Sequence, residues 1–173
     1  MKHSLIVVLF SIALVLAGCV TPEATKRPAD GVNLRQFQQL KLTVTNSVFT
    51  QYAIESKPQF EGLLRGTLQS LGYSLVDTNA QIILDVDVIE LEPGSRGTRF
   101  WVGFGAGKAI MRYTARFKNP DGKLLAELKG GKAYSGSELN DNAVFKSDES
   151  IRLGMISKSV SQISEFIRNN GKE

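Results

Sequence analysis

The chain has one histidine, His3, and one cysteine, Cys19, both within its first 19 residues. Beyond Cys19 there is no imidazole to serve as general base in a Ser-His-Asp or Cys-His arrangement, and no thiol nucleophile. The usual zinc ligands are missing for the same reason. No disulfide within the chain can stabilise the fold, so an apolar core must suffice. What remains is carboxylate chemistry, lysine chemistry or no chemistry, and no cofactor or metal is implied. Long hydrophobic runs are also scarce. The one candidate, Leu5 to Ala17, is 13 residues, short of the roughly 20 that a helix needs to cross a bilayer.

That run follows Lys2 and ends in small residues, the pattern of a secretory signal peptide over residues 1-18. The tetrad Leu16-Ala17-Gly18-Cys19 resembles the lipobox of bacterial lipoproteins. Leu16 fills an apolar peptidase pocket, Ala17 and Gly18 let the scissile backbone approach, and the Cys19 thiolate is the nucleophile that takes the lipid. The resemblance implies three acyl chains on Cys19, an effectively permanent membrane anchor, since a single chain is only marginal. In that family the residue after the cysteine sorts the protein, and Val20 in place of aspartate points to the periplasmic face of the outer membrane.

Removing residues 1-18 leaves 155 residues, enough for one domain, with 20 basic against 17 acidic side chains. The formal charge of +3 is uninformative, and no nucleic-acid partner is expected. Residues 19-33 hold two prolines, one glycine and no apolar periodicity, so they read as a lipidated flexible tether. The domain is expected over residues 34-170. Leu40, Leu42 and Val44 alternate with polar residues as a strand. Pro58 stands where a helix starts, Phe60, Leu63, Leu64, Leu68 and Leu71 form its apolar face, and Gly72 stops it. Tyr73 to Val76 is a short strand. In QIILDVDVIEL, residues Ile82, Leu84, Val86 and Val88 share one face, and Asp85 and Asp87 the other. Ala109, Met111, Tyr113, Ala115 and Phe117 face inward from a further strand. Asn119-Pro120-Asp121-Gly122 turns the chain into a partner strand from Leu124 to Lys132. The stretch GGKAYSGSELNDNA reads as a long loop. Asp148 caps a second amphipathic helix carrying Ile156, Val160, Ile163 and Ile167. The sum is an α+β fold: two layers, a mostly antiparallel sheet of four to five strands, and two amphipathic helices on one face.

Between Pro93 and Pro120 lie six basic residues and no acidic one. Arg96, Arg99, Trp101, Phe104 and Lys108 interleave charge and aromatic surface among five glycines, a combination suited to an anionic lipid surface or to an envelope protein partner. Arg112 and Arg116 alternate with inward residues and pair across strands on the solvated face. Gly107-Lys108 is no Walker loop, because Val102 and Ala109 stand where glycine and a hydroxyl residue are required. Asp85 and Asp87 form a same-face pair that a glycosidase can use, but on an open sheet, without a cleft. No catalytic residue is therefore assigned.

The run RFWVGFGAGKAIMRYTARFKNPDGKLLAELKG, with Arg99, Gly103, Gly105, Gly107, the Asp121-Gly122 turn and Gly130, resembles the bacterial lipoproteins grouped as domain of unknown function 4410. That resemblance implies no biochemical activity. More distantly, LQSLGYSLVDTNAQIILDVDV resembles the small α/β domains of the curli secretion lipoprotein and of the Tol propeller protein's amino-terminal domain. The expected function is a membrane-anchored, non-enzymatic binding or structural role through the Arg96 to Lys108 loop. The alternatives are a homo-oligomeric assembly or secretion component and, last, a carboxylate-dependent hydrolase.

Overall fold

The computed structural model describes residues 25-27, 31-94, 108-134 and 147-169. Within these lie six strands and two long helices: β1 (Thr25–Arg27), β2 (Gln39–Asn46), α1 (Gln51–Ser70), β3 (Ser74–Leu75), β4 (Ile82–Glu92), β5 (Ala109–Lys118), β6 (Leu124–Tyr134) and α2 (Asp148–Arg168). They form one sheet in the order β1-β6-β5-β4-β2-β3. The β1–β6, β5–β6 and β4–β5 pairs are antiparallel, while β2 runs parallel to both β4 and β3. The α+β class, the two layers and the two helices on one face are as expected. The six strands include the two short edge strands, and the parallel pairs follow from α1, a 20-residue crossover that carries the chain back about 30 Å to the level where β2 began.

Alternation puts one apolar row of each central strand against the helices. Leu84 and Val86 of β4, Met111, Tyr113 and Phe117 of β5, and Leu128 of β6 are buried there under Phe60, Leu64 and Leu68 of α1 and Ile156, Val160 and Ile163 of α2. Tilted ring pairs, Phe60 with Tyr113 at 6.5 Å and Phe117 with Phe166 at 5.8 Å, connect the layers. A bulge between Val88 and Glu90 shifts the phase of β4, so that Leu91 returns to the core and Ile89 stays half-exposed.

Both helices begin elsewhere than the sequence pattern suggests. Thr50 caps α1 by accepting from Ala53 N–H at 3.2 Å, which places Pro58 inside the helix. Pro58 is tolerated because both it and Ile54, whose carbonyl loses its N–H partner, are exposed to water. The buried row is Ala53, Ser56, Phe60, Leu64 and Leu68, while Leu63, expected on the apolar face, is 45% exposed. Gly72, at φ 96°, ends α1 as expected. Its N–H donates to Gln69 O and the Tyr73 N–H to Leu68 O, a Schellman closure that seats Tyr73 in the core. The Tyr73 hydroxyl donates to Leu34 O at 2.8 Å, and burial pushes its pKa up to about 12 against the pull of Arg35. In α2, Ser147 rather than Asp148 is the cap, accepting from Ser150 N–H at 3.1 Å. Asp148 and Glu149 instead lie in the first turn, where negative charge suits the helix dipole.

The strand expected from Leu124 to Lys132 runs on to Tyr134, so the first five residues of GGKAYSGSELNDNA belong to β6 and not to a loop. Its glycines answer a packing constraint. A Cβ on Gly130 would stand 2.5 Å from the Tyr113 hydroxyl oxygen, and one on Gly131 would penetrate the Met111 carbonyl oxygen. Into this notch α2 inserts Gln162. Its amide accepts from Gly131 N–H at 3.1 Å and donates to Gly131 O at 3.2 Å, and the Tyr113 hydroxyl donates to it at 3.1 Å. Burial, with the Glu165 charge adding to it, drives the Tyr113 hydroxyl pKa far above its ordinary value. Gly131→Ala should cost about 1–3 kcal/mol, as a core overpacked against backbone does, and chemical unfolding would show it as a lowered midpoint.

Candidate functional site

Of the residues expected to carry function, Cys19, Arg96, Arg99, Trp101 and Phe104 lie outside the described residues. Lys108 is described, half-buried immediately before β5. The structure thus places the loop's two ends. Glu92 pairs with Ile110 and Ala109 with Tyr134, so the loop leaves the sheet at one end, beside the last residues of β6. The first turns of both helices lie at the same end. Asn46, the last residue of β2, donates from its amide to Ala53 O at 3.1 Å, and Tyr134 packs against Gly154 of α2. There Arg152 lies 5.8 Å from the Tyr52 ring centre, joining α1 to α2, and pairs with Glu149. The hydrogen bond from Arg152 holds the Glu149 carboxyl below its usual range. Lys132 stands 4.9 Å from the Tyr134 ring centre, so a lysine and an aromatic ring meet where the sheet ends.

The face of the sheet away from the helices accounts for the other charges of the basic stretch. Arg112 pairs with Glu90 at 2.6 Å, Arg116 with Glu127 at 3.0 Å and Lys118 with Asp85 at 2.7 Å. The cross-strand reading of Arg112 and Arg116 is therefore met, with Glu90 as a partner that alternation alone does not supply, because the bulge rephases it. Each pair is partly exposed and contributes about 0–1 kcal/mol.

Asp87 is taken up by hydroxyls. Ser47 donates to its two carboxylate oxygens at 2.9 and 2.8 Å, and Thr45 donates to one of them at 3.2 Å. Asp85 and Asp87 so face different partners on an open surface, and nothing arranges them about a shared substrate. Among the described residues no group of three or more His, Cys, Asp or Glu is placed to hold a metal ion, and no helix is long and apolar enough to cross a membrane. The residues that sequence reasoning passed over are Gln162 and Gly130-Gly131. Adjacent glycines inside an alternating pattern were the available signal, since they mark close backbone approach as readily as a loop.

The family described as Domain of unknown function (DUF4410) matches residues 64–136, from the middle of α1 to just past β6, so the resemblance holds over that stretch. It indicates no enzyme class. No curated protein matches. The fold is similar to that of the PelC dodecamer from Paraburkholderia phytofirmans, at 15% identity and TM-score 0.52, covering 82% of this chain and 96% of that one. It is also similar to protein XCC0632 from Xanthomonas campestris, of family DUF330, at 12% identity and TM-score 0.50, covering 76% and 84%. Lipoprotein GNA1162 from Neisseria meningitidis shows a weaker likeness, TM-score 0.48 at 12% identity over 74% of this chain and 99% of that one, on which nothing below rests. At these identities the likeness is one of fold.

Replacing both Asp85 and Asp87 by Asn should lower stability by about 1 kcal/mol or less, the scale of exposed pairs, as measured by urea unfolding. A loss several times larger would show a carboxylate role that the geometry does not contain.

Proposed function

We propose that this chain is a non-enzymatic envelope lipoprotein, anchored through Cys19 at the periplasmic face of the outer membrane, whose domain serves a binding or structural role. The observation that carries the reading is the use of the polar groups. No histidine or further cysteine follows Cys19, and the same-face carboxylates Asp85 and Asp87 are taken up by Lys118, Thr45 and Ser47. The basic and aromatic side chains Arg96, Arg99, Trp101, Phe104 and Lys108 belong to the segment that leaves the sheet between β4 and β5. They form the contact surface, for a protein partner or an anionic envelope surface. The family match and the lack of any enzyme class attached to it support this reading.

A second reading is favoured by one observation, the fold shared with a protein described as a dodecamer. It makes this chain a homo-oligomeric assembly or secretion component. The two readings are compatible, since an oligomer of anchored domains still requires a contact surface.

Photo-cross-linking from position 104 in intact cells should capture a protein or a phospholipid. Replacing Arg99, Trp101 and Lys108 together by Ala should reduce that capture at least about tenfold, the loss of some 1.4 kcal/mol of binding, without lowering the urea midpoint. Undiminished capture would remove the loop from the proposal. Sizing of the detergent-extracted protein tests the second reading: a defined species larger than the monomer supports it, and a monomer at every concentration counts against it.

A further inference from the structure

The stretch 19-33 contains more than a tether, because Thr25–Arg27 form β1, hydrogen-bonded along the edge of β6. Only the steps from Cys19 to Thr25 remain between the anchor and the sheet, six residues with a reach of about 20 Å when fully extended. The direction of β1 is set by its register. Thr25 pairs with Lys129 and Arg27 with Glu127, so the strand runs opposite to β6. Followed backwards from Thr25, towards Cys19, the chain heads to the end of the sheet where β6 finishes at Tyr134, β4 at Glu92, and β5 starts at Ala109. Followed forwards it leads to Leu34, buried beside Tyr73 near the last turn of α1, at the opposite end.

The lengths decide which end the anchor reaches. From the level of Lys129 to Tyr134 is five residues of strand, about 17 Å, within the reach of the six residues before Thr25. The opposite end, at the Asn119 to Gly122 turn, is as far in the other direction, beyond Leu124. To get there the chain must first reverse. A reversal takes about four residues, and the remaining two span only about 7 Å.

We infer that the end of the sheet formed by Glu92, Lys108 and Lys132 to Tyr134 faces the lipid headgroups of the membrane that holds the Cys19 anchor. This rests on the anchoring proposed above and sharpens it: of a protein partner and an anionic surface, the geometry selects the anionic lipid surface. At this end Lys132, half-buried over the ring of Tyr134, which is itself buried against α2, adds a cation at the level where the sheet ends. The β4–β5 segment, with Arg96 and Arg99 and no acidic residue between Pro93 and Lys108, departs from the same end. The Asn119 to Gly122 turn, about 30 Å away along the ten residues of β5, faces the periplasm.

The test uses the full acylated protein. Because Cys19 is the only cysteine in the chain and is blocked by lipid, Glu92→Cys and Asp121→Cys each provide one labelling position, both exposed and at opposite ends of the sheet. Each fluorescently labelled protein is reconstituted in vesicles of phosphatidylethanolamine and phosphatidylglycerol containing a headgroup-nitroxide lipid. The label at position 92 should lose most of its emission and the label at 121 almost none. Inserting a long Gly-Ser segment after Val20 should relieve the quenching at 92. Equal quenching at both positions, stronger quenching at 121, or quenching at 92 that survives the insertion and persists in vesicles of zwitterionic lipid alone would overturn the orientation. Mass spectrometry of the mature amino terminus separates the two failures. An acylated Cys19 with the wrong quenching pattern sinks the orientation alone, and an unmodified Cys19 sinks the anchoring together with it.

Discussion

The amide of Gln162, seated in the notch left by Gly130 and Gly131, is the contact on which the arrangement of the layers depends. It satisfies one backbone N–H and one carbonyl of β6 that β1, pairing only with Glu127 to Lys129, does not reach. It also takes the Tyr113 hydroxyl, which would otherwise be a buried donor without a partner. With that point held, Ser159 sits over Met111 and Phe166 over Phe117, so α2 covers the apolar row of β5 along its length. A side chain at position 130 would collide with Tyr113 and Gln162 and hold the helix away from the sheet, and one at position 131 would collide with the Met111 backbone and part β6 from β5.

The two faces of the sheet then divide the labour. The face under the helices supplies the burial that stabilises a domain with no disulfide within the chain, in a row of fully buried side chains from β2 to β6. The other face carries paired charges and hydroxyl-bound Asp87. A surface whose charges already have partners makes a poor catalytic centre, since an acid or base must be left available for substrate. In the proposed function the contact falls at the rim, where chain segments leave the sheet, and β1 ties that rim to the proposed anchor.

Much of the fold was legible in the sequence because the apolar residues of β5, and those of β4 as far as Val88, recur at every second position. The inward residues of β5 and those of β4 up to Val88 are the ones alternation names, and Gly72 and the Asp121-Gly122 turn stand where the chain turns. Three features were not. Pro58 looked like a helix start, since the exposure of Pro58 and Ile54, which makes an interior proline tolerable, cannot be seen before the helix is packed. The bulge after Val88 rephases Glu90 towards Arg112, and a single extra residue leaves no pattern of its own. Gly130 and Gly131 fell in both the expected strand and the expected loop, because their reason lies in Tyr113, Met111 and Gln162, remote in sequence. Most of the expected contact surface lies outside the described residues, and only Lys108 and the ends of its segment are placed.

By itself the sequence determined the chemistry open to this protein, through the absence of histidine and further cysteine, and the periodicities that make two helices and a sheet each apolar on one side. These are local properties, set by which residues recur every second or every third and fourth position. The tertiary structure alone decided the parallel pairing of β2 with β4, the seat of α2 in the glycine notch, and the insertion of Thr25–Arg27 as an edge strand. Three polar residues in a proline-containing segment carry no strand signal. They pair because the edge of β6 offers unmatched backbone donors and acceptors, an opportunity that exists only once the sheet has formed.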